Sequence, residues 1–228
     1  MRKYDVSSND LALVALKNHD NAFLNSKARF YQKKVTLDMI KKSPIVASPL
    51  RLFDCSISVD GAAAAVISQK KGDIEIIGSS LYADRLSSFE SPDMTTWEGT
   101  RLSAAEAYKQ AGIKPSDIDF AELHDAFTPV ELMAYEDLGF TARGRGKELI
   151  RKGKTMINGD LPVNTSGGLK AKGHPISATG ISQIYEIVKQ MRREAEKRQL
   201  DKTRIGLAHN VGGVGSTATV HILKRVVG

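Results

Sequence analysis

The chain has 228 residues, of which 41% are hydrophobic and 26% charged, with a formal charge of +7. That is enough apolar material for one large domain or two small ones with a true core, and no apolar run approaches the ~20 residues of a membrane helix. Its one cysteine, Cys55, excludes an internal disulfide and a cysteine-based zinc site. The opening MRKYDVSSND lacks the apolar stretch of a secretory signal, so a cytoplasmic protein without membrane contact is expected. The basic residues concentrate in residues 144–154, which hold three glycines and no aromatic ring for base stacking, and in residues 192–204, where both signs alternate. These read as solvated surface, so nucleic acid is not an expected partner. A phosphate-bearing small ligand would use the same positive field.

In chain order, Leu11, Val14, Ala15 and Asn18 share one helical face, with Ser8 or Asn9 as cap. TLDMIKKS reads as a second helix that Pro44 and Pro49 stop. GAAAAVISQK, small and apolar, reads as a buried segment ending in a turn. From there strand and helix alternate. IEIIGSSLYA is a strand, LSAAEAYKQAGI a helix with a glycine stop, and DIDFAELHDAF a strand running into the helix TPVELMAYEDLGF. That helix carries the pattern of a capping box, with Thr128 as cap, Pro129 first and Glu131 three after the cap. A basic loop, a short strand at LPVNTSGG and a long helix, GISQIYEIVKQMRREAEKR, follow. Ile181, Ile184, Ile187, Val188 and Met191 mark the buried stripe of the last. IGLAHNVGG and STATVHILKRV close the chain as two strands joined through glycines. Such alternation predicts a layered α/β architecture.

Two histidines fall at strand-to-helix junctions: His124 at the end of FAELH and His174 before Pro175. In open α/β sheets, functional groups gather beyond the carboxyl ends of strands, although a histidine there is as readily structural. If Pro175 opens the helix, the positive helix end favours a neutral His174 ring, suited to a base or an oxyanion donor. The glycines before it do not have the Walker spacing of a phosphate cradle. Asp125 either orients an imidazole or opens its turn. Gly212, Gly213 and Gly215 either present backbone N–H groups to an anion or make a tight connection.

HDAF (residues 124–127), GHPISATG (174 and its neighbours, 173–180) and HNVGG (209–213) stand in the order found in thiolases. DLALVALKNHDNAFLN and SPLRLFDCSISVDGAAAAV resemble the same family, in its sterol-carrier-protein-type or archaeal branch. The resemblance spans essentially the whole chain and corresponds to the C-terminal portion of such enzymes. It implies residues 1–72 as the remainder of a loop region with the last N-domain strand, and residues 73–228 as the C-terminal domain of the α-β-α-β-α sandwich. It implies acyl transfer between coenzyme A thioesters, which are substrates, with no cofactor and no metal. His174 would activate the nucleophile and His124 would lie in the oxyanion site, while Asn210 and the N–H of Gly212 would meet substrate. The nucleophilic cysteine would come from an N-terminal thiolase half on a separate chain, giving a hetero-oligomer. Cys55 matches a small, buried family position instead. Ala126 and Asn210 stand where relatives place a second, proton-handling cysteine, which leaves that role to His124 or His209, or implies different chemistry such as retro-aldol cleavage. A non-catalytic acyl-CoA-binding scaffold is the remaining alternative. The lysine-rich residues 27–42 resemble the loop that meets the coenzyme A nucleotide.

Overall fold

A serine three residues ahead of an aspartate starts the first helix. Ser7 Oγ accepts from the Asp10 N–H (3.3 Å) and the Asp10 carboxylate accepts from the Ser7 N–H (2.7 Å), which closes a capping box and makes Ser7, rather than the expected Ser8 or Asn9, the cap of α1 (Ser8–Phe23). The structure, a computed structural model, describes residues 1–226. Leu11, Val14, Ala15 and Asn18 are all buried, as their spacing predicts, and Lys17 is buried beside them. Thr36 caps α2 (Leu37–Lys42), and a small antiparallel hairpin of β1 (Ile45–Ala47) and β2 (Leu50–Arg51) follows.

GAAAAVISQK departs from expectation. It forms neither strand nor helix and lies in solvent, with Val66 98% and Ile67 80% exposed. Among the described residues no strand offers it an edge, so its apolar side chains have nothing to pack against.

The alternating region largely follows the predicted order. β3 (Ile74–Ala83) occupies the predicted span. α3 (Glu98–Ala111) starts four residues early, after Trp97, and ends at Gly112, whose φ of 64° is the left-handed stop glycine permits. β4 (Phe120–Glu122) keeps only three of eleven predicted residues, because the chain leaves the sheet at Leu123. α4 (Thr128–Asp137) takes Thr128 as its first residue rather than its cap. The Thr128 hydroxyl donates to Asp54 Oδ1 (2.8 Å) and Glu131 turns inward to Lys17 (2.6 Å), so the predicted capping box does not form. The basic loop contains a short helix, α5 (Gly146–Arg151). The predicted strand at LPVNTSGG is a single parallel bridge from Val163 to Ala121. α6 (Thr179–Met191) starts four residues after Pro175 and stops short of Arg198, because Arg193 is left-handed (φ 63°). Its buried stripe is more polar than predicted: Gln183, Glu186 and Gln190 are buried with Ile187 and Met191, whereas Ile181 is 37% exposed.

β5 (Ile205–Gly212) and β6 (Thr217–Arg225) complete a four-stranded mixed sheet of order β3–β6–β5–β4, antiparallel except for β5 with β4. Neighbouring residues of β5 enter different cores: Leu207 packs with Ala104 and Ala107 of α3, and Ala208 with Ile187 and Met191 of α6. The two helices therefore cover opposite faces, as a layered α/β fold requires. Leu11 and Val14 of α1 join the α3-side core. No helix among the described residues is long and apolar enough to cross a membrane.

Candidate active site

Where β4 ends, the backbone needs new partners, and side chains of the segment before His174 supply them. The Leu123 N–H donates to Asn164 Oδ1 (2.7 Å), and buried Glu122 accepts from the Ser166 N–H (3.0 Å) and hydroxyl (2.6 Å). The turn carrying His124 is thus bound to the segment that leads to His174. Asp125 completes the link. Its buried carboxylate accepts from the N–H of Leu169 (2.6 Å), the N–H of Lys170 (3.4 Å) and Asn18 Nδ2 (2.8 Å). Gly168 (φ 61°) sits against that carboxylate so closely that a Cβ would overlap it. Asp125 therefore clamps the glycine turn of the other histidine loop and makes no hydrogen bond to an imidazole. Burial raises its pKa to about 6, with nearby Lys170 acting in the opposite sense.

His174 is held at both ends. Its N–H donates to the Ile57 carbonyl (2.8 Å), and its Nδ1 lies 2.7 Å from Thr179 Oγ1. The Thr179 hydroxyl donates its one hydrogen to the Pro175 carbonyl (3.1 Å), so it accepts from His174, which places the ring proton on Nδ1 and leaves a lone pair on Nε2. Burial lowers the pKa of His174. This corrects the expected origin of its neutrality, since α6 begins at Thr179 rather than at Pro175.

The two rings meet edge to face with centroids 5.4 Å apart. His124 is 6% exposed, its Nδ1 is buried without a partner, and burial followed by repulsion from His174 lowers its pKa to about 3. Both rings are thus neutral at neutral pH, an arrangement able to take one proton and present one N–H to a developing negative oxygen. His209 is fully buried, with its Nε2 3.1 Å from Thr100 Oγ1, and burial lowers its pKa to about 3. It is closed off from any ligand.

Beside His124 lies a cavity of about 280 Å³, lined also by Trp97, Phe127, Val130, Met133, Val211 and Gly213. The residue alternation of β5 separates Asn210 from this cavity. Its Nδ2 donates to Gln183 Oε1 of α6 (3.0 Å), and it lines a different cavity with Ile176, Ser177 and Gly180. Gly212 ends β5 between cavity-lining Val211 and Gly213, and its carbonyl accepts from the N–H of Gly215 (3.3 Å). The glycine connection is a tight turn, with Gly213 and Gly215 at φ 58° and 101°. Cys55 pairs its backbone with Phe127, its thiol lies 3.5 Å from the Arg51 carbonyl, and burial raises its pKa, the opposite of an activated thiolate. In the lysine-rich stretch, Lys34 and Lys42 make exposed pairs with Asp20 and Asp38, and Lys27 lies over the Tyr185 ring.

Sequence reasoning missed the Asp125–Gly168 clamp, the buried Lys17–Glu131 pair and the wall built by Met94 and Trp97. Only the last left a signal: a lone tryptophan in the polar run SPDMTTWEGT.

A family model described as "Thiolase C-terminal domain-like" matches residues 81–225. The chain is 43% identical to "Acetyl-CoA acetyltransferase" of Methanothermobacter thermautotrophicus, over 99% of this chain and 60% of that protein. It is 35% identical to "Sterol carrier protein 2" of Bos taurus, over 98% of this chain and 43% of the relative. It thus spans about three fifths or less of these relatives. A solved structure described as "Ltp2-ChsH2(DUF35) aldolase" superposes with a TM-score of 0.87 at 28% identity, over 99% of this chain and 60% of that one. The Bacillus anthracis acetyl-CoA acetyltransferase, at 15% identity and TM-score 0.68 over 99% of this chain and 58% of that one, shares the fold.

Proposed function

The chain belongs to the thiolase C-terminal-domain-like family, and on that premise we propose that it supplies the histidine half of an acyl-transfer site for coenzyme A thioesters, with the nucleophilic cysteine coming from a separate N-terminal thiolase half. The observation that carries this reading is the His124–His174 pair: two neutral rings from different loops, 5.4 Å apart, one with a free Nε2. In the proposed cycle the partner's thiol gives its proton to His174 Nε2 and attacks the thioester carbonyl. Coenzyme A leaves as the thiol, taking that proton back. A second thioester then loses an α-proton to a base of this chain, and its enolate attacks the acyl carbonyl; the acyl–sulfur bond breaks and the partner's thiolate leaves, recovering the abstracted proton as the thiol. His124 is the base for that step, because His209 is sealed against Thr100. The phosphates of coenzyme A would meet the exposed lysines of residues 27–42.

Acetoacetyl-CoA thiolysis by a complex of this chain with a matching N-terminal half tests the proposal. His174→Ala removes general-base help, typically about 10²–10⁴ in rate, and should lower turnover at least about a hundredfold in complexes of equal thermal stability. His124→Ala should also lower it, and Cys55→Ser should leave it nearly unchanged. Loss of turnover in Cys55→Ser with retention in His174→Ala would reverse the assignment.

Ala126 and Asn210 at the second-cysteine positions, together with the similarity to an aldolase-described structure, favour one further reading. A base takes the β-hydroxyl proton of a β-hydroxyacyl-CoA, the Cα–Cβ bond breaks to an aldehyde or ketone, and the thioester enolate is protonated. No nucleophilic cysteine is needed. Cleavage of such a substrate without thiolysis would select this reading.

A further inference from the structure

We propose that residues 54–58 form a splint that sets the His124 and His174 rings against each other, with Lys170 and Thr128 as the positioning residues that fix it. Both act through the rings and touch no substrate, and the role presupposes the histidine-pair reading above. The segment lies outside the four-stranded sheet and bonds to one histidine loop and then, at the next residue, to the other. The Ser56 N–H donates to the Ala126 carbonyl (2.7 Å), two residues past His124, and the Ile57 carbonyl accepts from the His174 N–H (2.8 Å). Backbone bridges of Cys55 with Phe127 and of Ser58 with His174 extend the pairing on either side. Val59 occupies the space that Gly173 leaves, where a Cβ would overlap it. One planar, stiff peptide unit, from Ser56 to Ile57, therefore sets the distance between the two loops.

Two buried side chains from different elements hold the splint at Asp54. Lys170 Nζ donates to the Asp54 carbonyl (2.8 Å), and the Thr128 hydroxyl donates to Asp54 Oδ1 (2.8 Å). Lys170 also joins the other tie between the loops, because its own N–H donates to the Asp125 carboxylate (3.4 Å). It thus links the splint, the His124 turn and its own turn. A lysine here needs a reason. Burying an ammonium costs free energy that an apolar side chain of the same length does not, and burial lowers the Lys170 pKa, with Asp125 acting in the opposite sense. Lys17, also buried, meets the Glu131 carboxylate at 2.6 Å, whereas Lys170 donates to a neutral carbonyl. A carbonyl compensates a cation less than a carboxylate does. Packing alone does not account for Lys170, and holding the splint does.

Amide exchange and nitrogen NMR of the full chain test this in wild type, Lys170→Met and Thr128→Val. Methionine keeps the length of the lysine stem and valine the shape of threonine, so each variant removes a hydrogen bond with little change of volume. In both, the Ser56 and His174 amides should exchange about tenfold faster relative to those of β5 and β6, the order of one lost hydrogen bond. His174 should also lose its single Nδ1–H tautomer as the ring leaves Thr179. In the assembled complex kcat should fall at least about tenfold with KM little changed, as displaced catalytic groups predict. Exchange raised alike across β5 and β6, or unchanged at Ser56 and His174, overturns the proposal. So does loosening in Lys170→Met alone: Thr128→Val changes no charge, and the uncompensated Asp125 carboxylate would then be the cause. Loosened amides with kcat unchanged overturn the positioning role and leave the reaction standing. Loosened amides in a chain whose wild-type complex performs neither thiolysis nor retro-aldol cleavage uphold the splint and remove the reaction reading.

Discussion

A single carboxylate, Asp125, ties together two turns that meet only in the folded chain. Its three N–H partners come from the glycine turn and from α1, and the contact depends on Gly168 lacking a side chain. Gly168→Ala meets two costs, a left-handed φ of 61° and overlap with the Asp125 carboxylate. Gly112→Ala meets only the first, since its φ is 64° and nothing lies near the added carbon. Urea denaturation should show a loss of about 1 kcal/mol for Gly112→Ala, the order of the left-handed penalty. Gly168→Ala should lose about 2–4 kcal/mol, because strain from overpacking adds about 1–3. Equal losses would mean that the clamp relaxes without strain. Gly168→Ala should also lower turnover of the assembled complex, as His174 follows six residues later.

At the scale of elements, residues 61–67 form an apolar run with no strand or helix of its own, in which Val66 and Ile67 stand 98% and 80% exposed. Exposed apolar side chains in a row mark surfaces that another polypeptide covers. Under the proposed assembly, the N-terminal half takes up this run by adding backbone hydrogen bonds along it. Amide exchange of residues 61–72 should therefore be fast in the isolated chain and slow by at least tenfold in the complex. Unchanged exchange would place the partner elsewhere. α6 behaves differently: its buried glutamines and Glu186 are spoken for by the His209 carbonyl, the Arg198 carbonyl and the Arg198 guanidinium, so a polar stripe is compatible with burial.

For the whole molecule, buried titratable groups set the response to pH. His19, His124 and His209 each have a pKa of about 3, lowered by burial first, and second by Lys170 for His19 and by the neighbouring ring of His174 or His124 for the other two. Once unfolded they bind protons below about pH 6.5, so the unfolded state takes up more protons than the folded one there. Stability falls as pH drops through that range. Asp125, raised to about 6, acts oppositely, since its folded form holds a proton that the unfolded form has released between pH 6 and about 4. Glu122 and Asp137, raised by burial, act with Asp125, and His174 and His221, lowered by burial, act with the other histidines; the five rings outweigh the three carboxylates. Thermal denaturation should show a lower Tm at pH 5 than at pH 7, and His19→Phe should reduce the difference. A higher Tm at pH 5 would contradict the burial of these rings.

What the sequence determined by itself was local: α1, β3, α3, β5, β6 and the place of His124 just beyond a strand end follow from periodicity and glycine stops, read within a few neighbouring residues. The tertiary structure decided whatever required partners distant along the chain. Thr128 and Glu131 have the spacing of a capping box, yet Asp54 and buried Lys17 offer them stronger partners. GAAAAVISQK has the composition of a buried segment, yet it lies exposed with no strand beside it among the described residues. Asn210 and His209 sit in the HNVGG motif, and the residue alternation of β5 sends one toward α6 and the other into a seal with Thr100. The His124–His174 meeting and the Trp97 wall exist only because a buried carboxylate and two side-chain-free glycines let separate loops close on each other. Such contacts depend on which distant groups approach within hydrogen-bond reach, and no local spacing encodes that.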